Sequence, residues 1–94
     1  MTAYIIARIE VTDPQDYATY AGQTVALAEA AGGTFLVKGG PQEFVEGDGP
    51  SRHVVISFPT VEMAKAWYTS SEDQEILPIA LRASERDIVV VEGM

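Results

Sequence analysis

His53 is the only histidine in the 94-residue sequence. It is also the one side chain whose ordinary pKa lies near neutrality. As a general base it needs an orienting carboxylate and a pocket; otherwise it is a half-exposed strand histidine beside the Asp48 loop. Lys38 stands before Gly39 and Gly40. That cation and two glycine amides can hold an anion. The glycines can instead take up positive φ at a bulge that bends a long strand, leaving Lys38 as an edge charge that blocks further pairing. Pro41 removes the next amide and favours the geometric reading. Arg8 interrupts an apolar strand and needs a partner there. Glu10, Glu43 or a carboxylate of a second copy can pair with it, or it can anchor an acidic ligand. Tyr20, Trp67 and Tyr68 fall on the inward faces of two helices, where aromatics usually fill a core. Two hydroxyls and an indole N–H still need partners when buried, so the same three residues can line a pocket.

Other chemistries are missing. The chain has no cysteine, which removes disulfides, thiolate metal sites and a cysteine nucleophile. One histidine cannot build a multi-histidine metal site. No serine is marked as a nucleophile, and no phosphate loop or dinucleotide fingerprint occurs. No metal and no cofactor are expected.

The elements that must position these residues follow from periodicity. Residues 3–11, "AYIIARIEV", alternate with period two and form a strand. Asp13 caps a helix with Pro14 in its first position. Tyr17, Tyr20, Ala21, Thr24, Val25, Ala28 and Ala31 share its inward face, and Gly32 and Gly33 end it. "TFLVK" (34–38) is a second strand, with "QEFVE" (42–46) expected to continue it past a bulge. "RHVVISF" (52–58) is a third. Thr60 caps a helix with the stripe Val61, Ala64, Trp67 and Tyr68. Ser71 and Gln74 fit the capping box of a further short helix, which Pro78 should end or kink. "DIVVVE" (87–92) is the last strand, and the polar run "SERD" (84–87) reads as solvated surface.

This order is strand, helix, strand, strand, helix, strand in one domain, residues 1–94. Its simplest closed form is a ferredoxin-like βαββαβ unit, a four-stranded antiparallel sheet with both helices on one face. The other face would carry Tyr4, Ile6, Thr34, Leu36 and Val55, too apolar for water. A second copy packed there would cover it, so a homodimer through the sheet face is expected. With 47% hydrophobic residues, 21% charged residues and a net charge of −8, the chain reads as an ordinary globule without a basic footprint. That argues against nucleic acid and anionic membranes as partners. The N-terminus lacks a basic leader, and no apolar run reaches the roughly 18 residues of a membrane span, so a cytoplasmic location is expected.

The segments "YIIARIEVTDPQDYATY", "GGTFLVKGG", "VVISFPTVEMAKAWYTSSEDQ" and "LPIALRASERDIVVVEG" together resemble a bacterial family, domain of unknown function 1330, in the dimeric α+β barrel superfamily. The resemblance runs over nearly the whole chain. It implies a ferredoxin-like subunit and two sheets packed back to back. The superfamily holds cofactor-free monooxygenases, small-ring isomerases, haem enzymes and members without known activity. Several of its enzymes place a substrate cavity between helices and sheet. Here that cavity would be lined by Tyr20, Trp67, Tyr68 and Arg82, with His53 as the proton carrier of a cofactor-independent enzyme acting on a small aromatic or carbonyl compound. A non-catalytic binding or regulatory module and a purely structural or assembly role are the alternatives. The sequence departs from the family pattern at Lys38, usually arginine, which weakens an anion site there. It departs again at Asp73, usually aromatic, which alters any pocket that the aromatic lines.

Overall fold

The computed structural model describes residues 1–94. Strand β1 (Ala3–Val11) buries Ala3, Ile5, Ala7 and Ile9 on one side and leaves Tyr4, Ile6, Arg8 and Glu10 on the other, as period two requires. Helix α1 (Pro14–Ala30) starts where the Asp13 side chain accepts a hydrogen bond from the Asp16 amide at 3.2 Å. It buries Tyr17, Tyr20 and Ala28. Strands β2 (Thr34–Lys38) and β3 (Arg52–Phe58) follow, then helix α2 (Val61–Tyr68), helix α3 (Ser71–Ala83) and strand β4 (Ser84–Glu92).

The four strands form one sheet in the order β2-β3-β1-β4, antiparallel throughout. The expected βαββαβ order is present, with two helices rather than one before the last strand. All three helices lie over one face. Phe58, Ile5, Ile9, Ala28, Ala64, Trp67 and Ile76 join there in a single core. The protomer measures 32 × 30 × 17 Å. A thickness of 17 Å is one helix layer on one sheet, and the second sheet face has no cover. Tyr4, Ile6 and Val55 are half-buried there, Leu36 is 56% exposed, and Val89 and Val91 of β4 extend the patch. No helix is long and apolar enough to cross a membrane.

Four local expectations need correction. The bulge of β2 lies between Phe35 and Val37, ahead of the glycines rather than at them. It brings Lys38 opposite Val54 and so onto the helix side of the sheet. Residues 42–46 are not a strand; they sit in an exposed loop, where Gln42 Nε2 donates to the Pro50 carbonyl at 2.9 Å. Pro41 and the flanking glycines leave that segment no ladder to join. The cap of α3 is Ser70, whose hydroxyl accepts from the Asp73 amide at 3.2 Å, and the helix continues through Pro78. Ile76, Ala80 and Ala83 are buried in the core on both sides of that proline, and this burial offsets the missing hydrogen bond. Finally, β4 begins at Ser84, not at Asp87, so the polar run is strand, with Ser84 buried and Arg86 half-buried. The Ala83 carbonyl accepts from the Thr12 and Asp13 amides and ties the start of β4 to the end of β1.

Gly33, just past the end of α1, lies close against the sheet. A Cβ there would lie 2.8 Å from Phe58 Cζ and 3.0 Å from the Ala28 carbonyl oxygen. Only glycine lets the chain turn this close to the aromatic beneath it.

Candidate functional site

A cavity of about 40 Å³ lies between α1, α2 and the sheet. Most of its 17 lining residues are hydrophobic. Tyr20, Trp67, Tyr68 and Lys38 all reach it. The first three arrive on helical turns whose neighbouring positions are buried, and Lys38 arrives because of the bulge in β2.

The remaining sequence candidates stand elsewhere. Arg82, expected at this cavity, is absent from its lining. Its Nε donates to Asp16 Oδ2 at 2.9 Å on the outside of α3, and the arginine side chain is 61% exposed. Position 82 falls off the buried stripe Asp73, Ile76, Ala80 and Ala83 of that helix. His53 and Arg8 are cross-strand neighbours on the uncovered sheet face, with the sheet between them and the cavity. His53 Nδ1 donates to Gln42 Oε1 at 2.6 Å, and its ring meets Phe44 edge-on. Its orienting partner is therefore an amide, where the general-base reading needs a carboxylate. Arg8 is exposed, and neither Glu10 nor Glu43 pairs with it; Glu10 accepts instead from the Ser51 hydroxyl at 2.9 Å. Gly39, with φ of 69°, donates its amide to the His53 carbonyl at 2.9 Å, so that amide is not free for an anion. A Cβ on Gly39 would fall 2.0 Å from an Arg52 Nη atom. The glycine thus makes room for a guanidinium.

Arg52 and Arg86 are the residues that sequence reasoning missed. Arg52 lies over the Tyr17 ring with 5.5 Å to its centroid, and Arg86 over the Tyr20 ring with 5.2 Å. The two tyrosines are one helical turn apart, their centroids 5.6 Å from each other. Arg86 Nη1 donates to the Tyr20 hydroxyl at 3.0 Å. Burial pushes the Tyr17 hydroxyl above the usual phenol range, while Arg52 and Arg86 pull it down in part. It stays a neutral hydrogen-bonding phenol at neutral pH.

Trp67 stacks on Phe58 at 5.7 Å and meets Tyr68 edge-on. Behind the lining, Asp73 is fully buried. Burial raises its carboxyl to about 6, against the pull of Arg86 and of the neighbouring Thr24 hydroxyl. No hydrogen bond closes on either carboxylate oxygen. The same region holds the other buried polar atoms without partners: Thr24 Oγ1, Arg52 Nε, Trp67 Nε1 and Arg86 Nη2. Buried polar groups are ordinarily satisfied, so this concentration is the site's main chemical feature. No group of three or more histidine, aspartate or glutamate side chains could hold a metal ion.

The family model described as domain of unknown function (DUF1330) matches residues 2–94. No curated protein matches the sequence. Among solved structures, a protein of unknown function from Rhodopseudomonas palustris superposes with a TM-score of 0.79 at 11% identity, covering 99% of this chain and 82% of that one. SnoaB, a cofactor-independent oxygenase from Streptomyces nogalater, gives 0.70 at 13% identity, covering 99% and 93%. A dimeric protein of unknown function with a ferredoxin-like fold from Bacteroides fragilis gives 0.59 at 14% identity, covering 98% and 96%. At these identities the likeness is one of fold, and the fold is the ferredoxin-like α+β arrangement.

Proposed function

We propose, for a chain that belongs to the DUF1330 family over residues 2–94, a homodimer that binds a small organic molecule between its helices and its sheet. The observation that carries this reading is the set of buried, unpartnered polar atoms on Arg52, Trp67 and Arg86 around a mostly apolar cavity. A pure core would leave such groups out or pair them, because each one left unsatisfied costs about 1–3 kcal/mol. A pocket that closes on a polar ligand keeps them. The net charge of −8 speaks against nucleic acid as that ligand.

The dimer half of the proposal rests on the uncovered apolar sheet face and on the dimeric Bacteroides neighbour of the same fold. Sedimentation should give twice the 10.1 kDa chain mass at micromolar concentration. A monodisperse monomer there would remove the dimer.

Catalysis without a cofactor, as in SnoaB, is a further step. It needs a base at the cavity, and His53 lies across the sheet. The binding reading therefore stands ahead of the enzymatic one. A thermal-shift screen against small aromatic, carboxylic and carbonyl compounds tests it. A ligand at a hundred times its dissociation constant adds about 2.7 kcal/mol, which for this size is more than about 10 °C. The hits should weaken in Trp67→Phe, which deletes the unpartnered indole N–H, and persist in His53→Ala. Silence across the library would turn the reading toward the assembly role.

A further inference from the structure

The chain carries six lysines and arginines against fourteen aspartates and glutamates. Three of those six cations, Lys38, Arg52 and Arg86, line this one cavity. They come from three different strands, and no carboxylate is among the lining residues. None of the three is in a salt bridge; the ion pair in the protein is Arg82–Asp16 at the surface. An acidic protein thus turns half its positive charge into one hole.

The unpartnered atoms of the cationic and indole side chains in the lining are donors; the unpartnered Thr24 hydroxyl also lines the cavity, and the unpartnered Asp73 carboxylate lies behind it within the field of Arg86. Arg86 uses Nη1 on the Tyr20 hydroxyl and leaves Nη2 buried and free; Arg52 leaves Nε, and Trp67 leaves Nε1. All three can only donate. Trp67 is 6% exposed, so bulk water does not reach its N–H freely. About 40 Å³ admits two or three water molecules. A ligand that displaces them must bring acceptors and negative charge to match. A planar carboxylate does so, because a guanidinium fork meets it geometrically as well as electrostatically.

The space also bounds the rest of the ligand. A groove of about 290 Å³ under α2, bordered by Lys65, Thr69 and Val90, shares Ile5, Tyr68 and Ile88 with the cavity. Tyr68 is half-buried and stands between the two spaces. Together they reach the lower end of the range for small-ligand sites.

We infer that the cavity takes a small organic anion, its carboxylate held by Arg52, Arg86 and the Trp67 N–H and its apolar body lying past Tyr68 toward α2. This deepens the small-molecule reading above and rests on it.

Trp67 is the only tryptophan, so its indole N–H is a single identifiable signal in a nitrogen–proton correlation spectrum of the full chain. Benzoate, benzamide and inorganic phosphate are titrated in turn at pH ~7.5, where a benzoic acid is fully ionised. Benzoate shifts the indole signal saturably, and the isosteric neutral amide binds at least about tenfold more weakly, the loss expected for hydrogen bonds to a charged group. Phosphate, which lacks the apolar body, is also weaker. Arg86→Gln and Arg52→Gln each weaken benzoate about tenfold or more, while Arg82→Gln leaves it unchanged. Should Arg86→Gln not fold, Arg52→Gln decides. Benzamide binding as well as benzoate, or benzoate indifferent to the arginine changes, overturns the anion and keeps a small-molecule site. Phosphate matching benzoate overturns the organic body. A signal that none of the three moves overturns the anion and counts against the pocket reading, which the wider screen then decides.

Discussion

Replacing Phe58 with alanine lowers the melting temperature by more than about 12 °C. Phe58 is 1% exposed and lies beneath Trp67, its ring 28° from the indole plane. Gly33 has no side chain so that the chain can close over this ring. Truncating a buried Phe costs about 3–5 kcal/mol, from lost transfer energy and from the cavity left behind. In a domain of this size each kcal/mol moves the midpoint by roughly 4–8 °C. The total stability of such a domain is only about 5–15 kcal/mol, so the variant should sit close to unfolding at physiological temperature. Thermal melts followed by circular dichroism decide it. A loss under about 1 kcal/mol, well short of the usual cost, would mean that the aromatic stack is loose and that the core lies elsewhere.

The second large effect is a gain. Asp73→Asn should stabilise the protein at about pH 8 and change little at about pH 4. In the folded chain the carboxyl titrates at about 6, against an ordinary value near 3.8. Between those values the folded state holds a proton that the unfolded state has released. Stability therefore falls as pH rises from about 4 to 6 and stays lower above. A rise of about two units corresponds to roughly 3 kcal/mol. The introduced amide would still be buried without full hydrogen bonding, so the recovered amount is about 1–3 kcal/mol. Urea unfolding at both pH values measures it. Equal pH dependence in the two proteins would show that Asp73 is better solvated than its burial implies.

The parts of this protein that were legible in the sequence are those set by local rules. Alternation in β1 and the caps at Asp13 and Thr60 depend on neighbours within a few residues. The order of elements then leaves few sheet topologies. The cavity was only half legible. Tyr20, Trp67 and Tyr68 announced themselves as aromatics on inward helix faces. Arg52 carried the same signal less visibly, because it has the parity of Val54 and Ile56 on β3. Arg86 has the parity of Ile88 and Val90, but the polar run from Ser84 to Asp87 hid the true start of β4. Asp73 shares the helical spacing of Ile76, Ala80 and Ala83, a stripe that exists only if the helix passes through Pro78. Arg82 belongs to the cavity only by the family resemblance, and helical spacing places it outside. Lys38 faces the helices through a one-residue bulge, and such a shift inverts the facing of everything after it.

Strand β1 lies in the middle of the sheet, between β3 and β4. Its second neighbour, β4, follows the other three strands of the sheet in sequence and is synthesised after them. While a ribosome is still making this protein, β1 carries Ile5 and Ile9 with one open flank and nothing to pair with it. Contacts this far apart in sequence form slowly, because a long loop must close before they repay its entropy. The unfinished chain offers a bare central strand to anything that can add to it. Shortening β4 would prolong that interval indefinitely, and aggregation during synthesis, rather than loss of binding, would be its first consequence.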